Sequence, residues 1–161
     1  MNRRIRPEDD RSFKGSPERA ELQRIYAEVD VLVSSITCDV STDCCHFERT
    51  GKEPYLTAVE YAELHLAGRA SGMRAPTSRP TRPKNLPIAS EGKCPFLSDA
   101  GRCRVYASRP IGCRTFFCER ASGQAPRREI ADLLRRIVDL SEGGFEEGRA
   151  GRPLRSWVEA R

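Results

Sequence analysis

Long apolar runs are missing from this chain. No stretch approaches the roughly eighteen apolar residues that a membrane span requires, and the mean hydropathy is -0.60. The opening Met1-Asn2-Arg3-Arg4-Ile5-Arg6-Pro7-Glu8-Asp9-Asp10 is charged and has no apolar h-region, so a secretory signal is not expected. Histidine is scarce: His46 and His65 are the only two in 161 residues. That excludes a His-rich open zinc site of the hydrolytic kind. No glycine-rich cofactor loop and no Ser/His/Asp arrangement is recognisable. Aromatic residues make up only 7% of the chain, and no nucleic-acid motif accompanies them, so nucleic acid is not an expected partner. The paired acids Asp9-Asp10 and Glu146-Glu147 read as solvated charges rather than catalytic dyads.

What the chain does have is seven cysteines in two tight groups, Cys38–Cys44–Cys45 and Cys94–Cys103–Cys113–Cys118. They amount to about 4% of the residues, below the roughly 8–10% of short disulfide scaffolds. An odd count also fits poorly with complete internal pairing. With no secretory signal, a cytoplasmic setting is expected, where thiols stay reduced. Thiolates are the soft ligands of zinc, iron and iron–sulfur clusters. Two groups about fifty residues apart suggest a fold that closes by bringing distant sulfurs onto one inorganic centre.

The spacing does not choose the metal. The cysteines of the second group are separated by eight, nine and four residues, not by the two-residue knuckles of common zinc fingers. Cys44 and Cys45 are adjacent, and neighbouring side chains of an extended chain point to opposite faces. Either the backbone turns there, or one sulfur supports from behind, or two centres exist. Seven sulfurs and His46 are eight donors, enough for two four-coordinate sites; one site of four with spare thiols is also allowed, and a single cluster is the reading we favour. Around the sulfurs, Pro95 sets a turn after Cys94, and Gly112 lets backbone approach closely before Cys113. Phe96, Leu97, Val105, Tyr106 and Phe116 would supply a dry wall.

The formal net charge is +5, carried mostly by arginine. Arg102, Arg104, Arg109, Arg114 and Arg120 crowd the second cysteine group. The reading we favour is local neutralisation of a thiolate centre, whose net negative charge nearby cations offset.

Three helices are expected. Ser16-Pro17 suits an N-cap and first turn, and Leu22, Ile25, Tyr26, Val29, Leu32 and Ile36 follow as one stripe toward Cys38. Thr57-Ala58-Val59-Glu60 is a capping box, with Leu56 and Tyr61 as its hydrophobic staple. Tyr61, Leu64, His65 and Gly68 would share a face that ends at Gly68 or Gly72, with His65 packed rather than ligating. Pro126 opens the third helix, whose stripe is Ile130, Leu133, Leu134, Ile137 and Leu140. Arg127, Arg128, Arg135 and Arg136 lie off it, and Gly143-Gly144 stop it. This basic helix, 127–140, could meet a protein partner, though packing on the cysteine domain is the commoner fate. Pro76, Pro80, Pro83 and Pro87 break regular structure over 73–93, read as a solvated linker. The expected fold class is therefore mainly α with long irregular loops, a small metal-stapled domain over 16–140. Residues 1–15 are expected as a disordered tail and 141–161 as a C-terminal tail, with Trp157 covering an apolar edge.

Taken together, these motifs resemble the YkgJ-type cysteine-cluster proteins, a zinc- or iron-chelating domain family whose hallmark is CxxCxxCC. The later hallmarks are Cys94-Pro95-Phe96-Leu97, Cys103 with Val105-Tyr106, and Arg109-Pro110 followed by Cys113-Arg114. In the earlier one, Cys38-Asp39-Val40-Ser41-Thr42-Asp43-Cys44-Cys45, Ser41 stands where the family has its second cysteine. Tyr55-Leu56-Thr57 through Glu60 is similar to the family's entry into its middle helix. The resemblance covers residues 38–118. It implies metal binding, to zinc or iron (an iron–sulfur cluster included), through Cys38, Cys44, Cys45, Cys94, Cys103 and Cys113, with Cys118 or His46 replacing the ligand lost at Ser41. Relatives include flagellin lysine methylases, so the resemblance also admits an enzyme using an iron–sulfur centre for redox or methylation chemistry. An interaction adaptor built on a structural zinc is the remaining alternative.

Overall fold

The computed structural model describes residues 4–37, 42–73, 92–116, 125–148 and 151–159. Cys38, Ser41, Cys118, Arg120 and nearly all of the proline-rich stretch lie outside them. The described residues are mainly helical. The frame consists of α2 (Pro17–Leu32), α4 (Ala58–Ala70) and α6 (Arg127–Gly144), packed on one another.

Each helix follows from local chemistry. The Ser16 hydroxyl accepts the Arg19 N–H at 3.1 Å and Pro17 occupies the first turn of α2. Leu22, Ile25, Tyr26 and Val29 form its buried stripe. The capping box at Thr57 and Glu60 opens α4, which closes at Ser71 with Gly72 in the left-handed region at φ 78°. On α6, Leu133 and Ile137 are buried and Ile130 and Leu140 half-buried, whereas Leu134, expected on the same stripe, is exposed along with Arg127, Arg128 and Arg135. Arg136 bridges to Glu21 and Glu28 of α2 at 3.0 and 2.7 Å. The glycines Gly143-Gly144 form the last two residues of α6 rather than lying past it.

Within both expected tails the described residues form helix and strand. Asp10–Lys14 forms α1, capped by the Asp9 carboxylate, and buries Phe13 edge-on to Phe145 at 5.7 Å. Ile5 pairs with Phe145. Asp10 is not merely solvated: it holds His65 at 2.9 Å and Arg69 at 3.1 Å. At the other end, β2 (Arg152–Pro153) pairs antiparallel with β1 (Tyr55–Leu56), and α7 (Leu154–Glu159) follows. Trp157 is buried, stacks on Tyr61 at 5.0 Å and donates its indole N–H to the Leu56 carbonyl at 3.0 Å. Such contacts join residues far apart in sequence, so no local pattern announces them.

Among the described residues no helix is long and apolar enough to cross a membrane.

Candidate metal centre

Five of the seven cysteines lie within the described residues, and all five are free thiols, half-buried. Cys44 and Cys45 sit on a single 3-10 turn, Asp43–Cys45, entered by Thr42 in the left-handed region at φ 57°. The backbone therefore turns at the adjacent pair, the first of the three alternatives posed by their adjacency. A short helix, α3 (Phe47–Thr50), follows and anchors the turn through buried Phe47.

The two cysteine groups meet through main chain. Cys94 donates its N–H to the Cys45 carbonyl at 2.8 Å, His46 pairs antiparallel with Lys93, and Glu48 donates its N–H to the Gly92 carbonyl at 3.1 Å. A side chain at Gly92 would be impossible here: a Cβ there would lie 2.5 Å from Glu48 Cβ, and φ is 96°. From Cys94 the chain folds into a tight hairpin. The Leu97 N–H reaches back to the Cys94 carbonyl at 3.0 Å, and Leu97 pairs with Cys103. Cys113 is carried by α5 (Ile111–Thr115). Gly112 allows the close approach expected of it, but toward Pro54, whose Cβ would lie 3.3 Å from a Cβ at that position.

The sulfurs act on one another. Cys44 and Cys45 bear on each other as donor and acceptor, and Cys94 bears on Cys45 in the same way. The interaction with Cys45 is the largest cause that raises the Cys44 thiol well above the ordinary range, followed by burial. For Cys45 the interaction with Cys44 acts downward, yet that with Cys94, burial and the neighbouring Cys94 and Cys103 push it up to about 12. Burial is the main cause at Cys113, also pushed up to about 12, with Cys44, Cys45 and Cys103 adding and Arg109 opposing. Burial raises Cys103 too, against the Val105 N–H and Arg109. Thiols that disfavour one another's ionisation are a set that a cation would reverse, because metal binding stabilises thiolates directly.

The arginines divide. Arg109 is the cation that opposes the rise at Cys44, Cys103 and Cys113. It is held by stacking on the Tyr106 ring at 3.7 Å and by donating to the Tyr106 carbonyl at 3.1 Å. Arg114 faces away into a buried site, where its guanidinium donates to Asp30 at 2.6 Å, the Ala107 carbonyl at 2.5 Å and the Arg109 carbonyl at 2.7 Å. Arg102 and Arg104 are exposed. Phe96 and Val105 are buried as expected of a dry wall, whereas Tyr106 is 54% exposed and serves as the platform for Arg109 instead.

Beneath α5 lies a polar layer that the sequence reading missed. Glu60, 1% exposed, accepts from the Thr57 N–H and hydroxyl at 3.0 Å each and from the Ile111 N–H at 2.9 Å. Burial raises its pKa, with these donors acting against the rise. Glu63 accepts from Arg19 at 2.8 Å and from the Ser108 hydroxyl at 3.0 Å. The Tyr26 hydroxyl, buried beside them, has no partner of ordinary hydrogen-bond geometry, although it bears on Glu60. A signal was present: from Ala58 to Leu64 the helix is apolar all round except for these two acids, so both had to be buried.

His65 is engaged by Asp10 and leans on Tyr61 at 5.9 Å, a packed histidine. His46 stands with its Nδ1 3.5 Å from Glu48. It lines a cavity of about 500 Å³ with Cys94 and Lys93, while Cys44 and Cys113 open onto another of about 530 Å³ beside Lys52 and Phe116. Among the described residues, no group of three or more His, Cys, Asp or Glu side chains is closed around one point tightly enough to hold an ion. The donors thus suit zinc or iron in kind, as soft sulfurs partly screened from water, while Cys38 and Cys118 lie outside the described residues.

No curated protein and no solved structure matches the chain. Residues 37–130 match the sequence profile of the CxxCxxCC family, described as "Putative zinc- or iron-chelating domain". The match runs from just before Cys38 to the first turn of α6, more than half of the chain, and takes in every cysteine. The protein belongs to the CxxCxxCC family.

Proposed function

We propose that the protein binds zinc or iron, an iron–sulfur cluster included, through the thiolates of Cys44, Cys45, Cys94, Cys103 and Cys113, joined by Cys38 and Cys118. The observation that carries this reading is the approach of free thiols from two distant segments, stitched by the Cys94-to-Cys45 main-chain hydrogen bond and within electrostatic reach of one another, though not closed around one point among the described residues. When bound, the metal supplies a positive centre that turns mutually unfavourable thiols into thiolate ligands. Arg109 offsets the charge that accumulates there. Cys113 is delivered by α5, Cys44 and Cys45 by the 3-10 turn, and Cys94 and Cys103 by the hairpin. The role we favour is structural, redox or chelating, the described surroundings of the thiols being a platform in Tyr106 and anchors in Arg114 and Glu60. A reducing compartment such as the cytoplasm suits five free thiols.

The test is anaerobic purification of the full chain followed by measurement of zinc, iron and acid-labile sulfide. One or more equivalents of zinc or iron per chain is the expected result. Brown colour with sulfide identifies a cluster, and a colourless zinc protein a mononuclear site. A protein that retains neither metal, and takes up neither on reconstitution of the reduced thiols, overturns the reading.

A further inference from the structure

We propose that Glu60 is the positioning residue of Cys113, holding α5 in place through its bridge between two helices. The Glu60 carboxylate has two jobs at once. One oxygen closes the capping box of α4 by accepting from Thr57, and the other accepts from the Ile111 N–H at the start of α5. Cys113 lies two residues further along that same short helix. A helix of five residues has little intrinsic stability, so external contacts decide its place. On one side of Cys113 stands the Glu60–Ile111 bond, and on the other Arg114, tied to Asp30 of α2 and to the Ala107 and Arg109 carbonyls. Gly112, pressed against Pro54, completes the seat. A buried carboxylate is a costly way to cap a helix. A capping box needs only one acceptor oxygen, so the second oxygen's bond to Ile111 is what makes the acid more than a cap.

Chemistry makes the two-oxygen role specific. Glutamine presents one oxygen and one NH2, so Glu60→Gln can accept from Thr57 or from Ile111 but not from both. Thr57→Val, by contrast, removes the capping hydroxyl and leaves the Ile111 bond intact. The inference builds on the reading of Cys113 as a metal ligand, but its main test needs no metal.

In reduced, metal-free full-length protein, iodoacetamide labelling of each cysteine is followed by mass spectrometry. We expect Glu60→Ala to raise the labelling rate of Cys113 relative to Cys103 about tenfold, the scale of losing a charge-assisted buried hydrogen bond. Glu60→Gln shifts the ratio the same way by less, and Thr57→Val lowers the melting temperature without moving it. Loading cobalt(II) then gives a spectroscopic readout: both Glu60 variants lose sulfur-to-metal charge-transfer intensity per bound cobalt, and Thr57→Val does not. An unchanged Cys113 to Cys103 ratio in Glu60→Gln overturns the inference, and remains decisive if Glu60→Ala does not fold. A Thr57→Val protein whose ratio moves as far as that of Glu60→Gln overturns it too. Wild-type protein that takes up no cobalt counts against the metal reading alone, and the labelling arm still decides the role of Glu60.

Discussion

The helical frame and the cysteine lobe are stabilised by different physics. In the frame, Leu22, Ile25, Val29, Val59, Ala62 and Ile137 are fully buried and close α2, α4 and α6 over a continuous apolar interior. The lobe, residues 42–56 and 92–116, is built of short helices, turns and the two-residue β1. Its buried apolar residues, such as Phe47, Phe96, Val105 and Ile111, are spread along loops. What joins them is main-chain pairing between residues 45–48 and 92–94, and polar anchoring by Glu60, Glu63 and Arg114. A core of the first kind stands by itself; a lobe of the second kind gains most from an inorganic cross-link. The contrast explains how so little regular structure can hold the family's signature residues.

The largest effect that separates the two regions is metal removal. Structural zinc in small peptides contributes about 10–16 kcal/mol of apparent binding free energy, against a total domain stability of about 5–15 kcal/mol. Stripping metal from the loaded protein should abolish hydrogen-exchange protection over residues 42–50 and 92–104, while α2, α4 and α6 keep theirs, as does α5, tied to α4 and α2 through Glu60 and Arg114. Cys113→Ser is expected to abolish metal retention and lower the melting temperature, and unchanged metal content and melting temperature would contradict it. Ile137→Ala probes the frame. Truncation of a buried isoleucine should cost about 2–5 kcal/mol in urea unfolding, equally with and without metal. A cost that depended on metal would dissolve the distinction between frame and lobe.

Smaller effects sharpen the comparison. Arg114→Met leaves the Ala107 and Arg109 carbonyls without their donor, which should cost about 1–3 kcal/mol and show mainly as lost protection near Cys113. The pH response of the metal-free protein has a definite sign. Folded Cys45 and Cys113 ionise near 12 against an ordinary 9.0, so the unfolded chain releases these protons first. Their contribution is fully present below about pH 9 and is lost as pH rises toward 12, with metal-loaded protein showing a flatter profile. Smallest is Ser16→Ala, which removes the cap of α2 at a cost of about 1 kcal/mol and should leave metal content untouched.

Much of the frame was legible because its rules are local. Ser16-Pro17, the Thr57–Glu60 box and the Leu133–Ile137 stripe announce helices within a few residues of themselves, and all three are found. Joining the two cysteine groups was also legible, since the sulfurs needed a common purpose. The ends of the chain were not. Phe13, Ile5 and Trp157 acquire their meaning from Phe145, Tyr61 and Leu56, more than ninety residues away, and nothing nearby in sequence predicts those partners. Division of labour among the arginines was likewise hidden: Arg109 and Arg114 differ by five positions and by which way each turns.

Trp157 is the chain's single indole, lying against the Tyr61 ring with an interplanar angle of 13° and bonded to the Leu56 carbonyl, one residue before the Thr57–Glu60 box. Nature has thus installed one fluorophore at the seam where the closing segment of the chain covers the root of the thiol-bearing lobe. Its emission wavelength and quenching should follow ion uptake and release in real time, without any dye, as an optical gauge of how firmly that seam is shut.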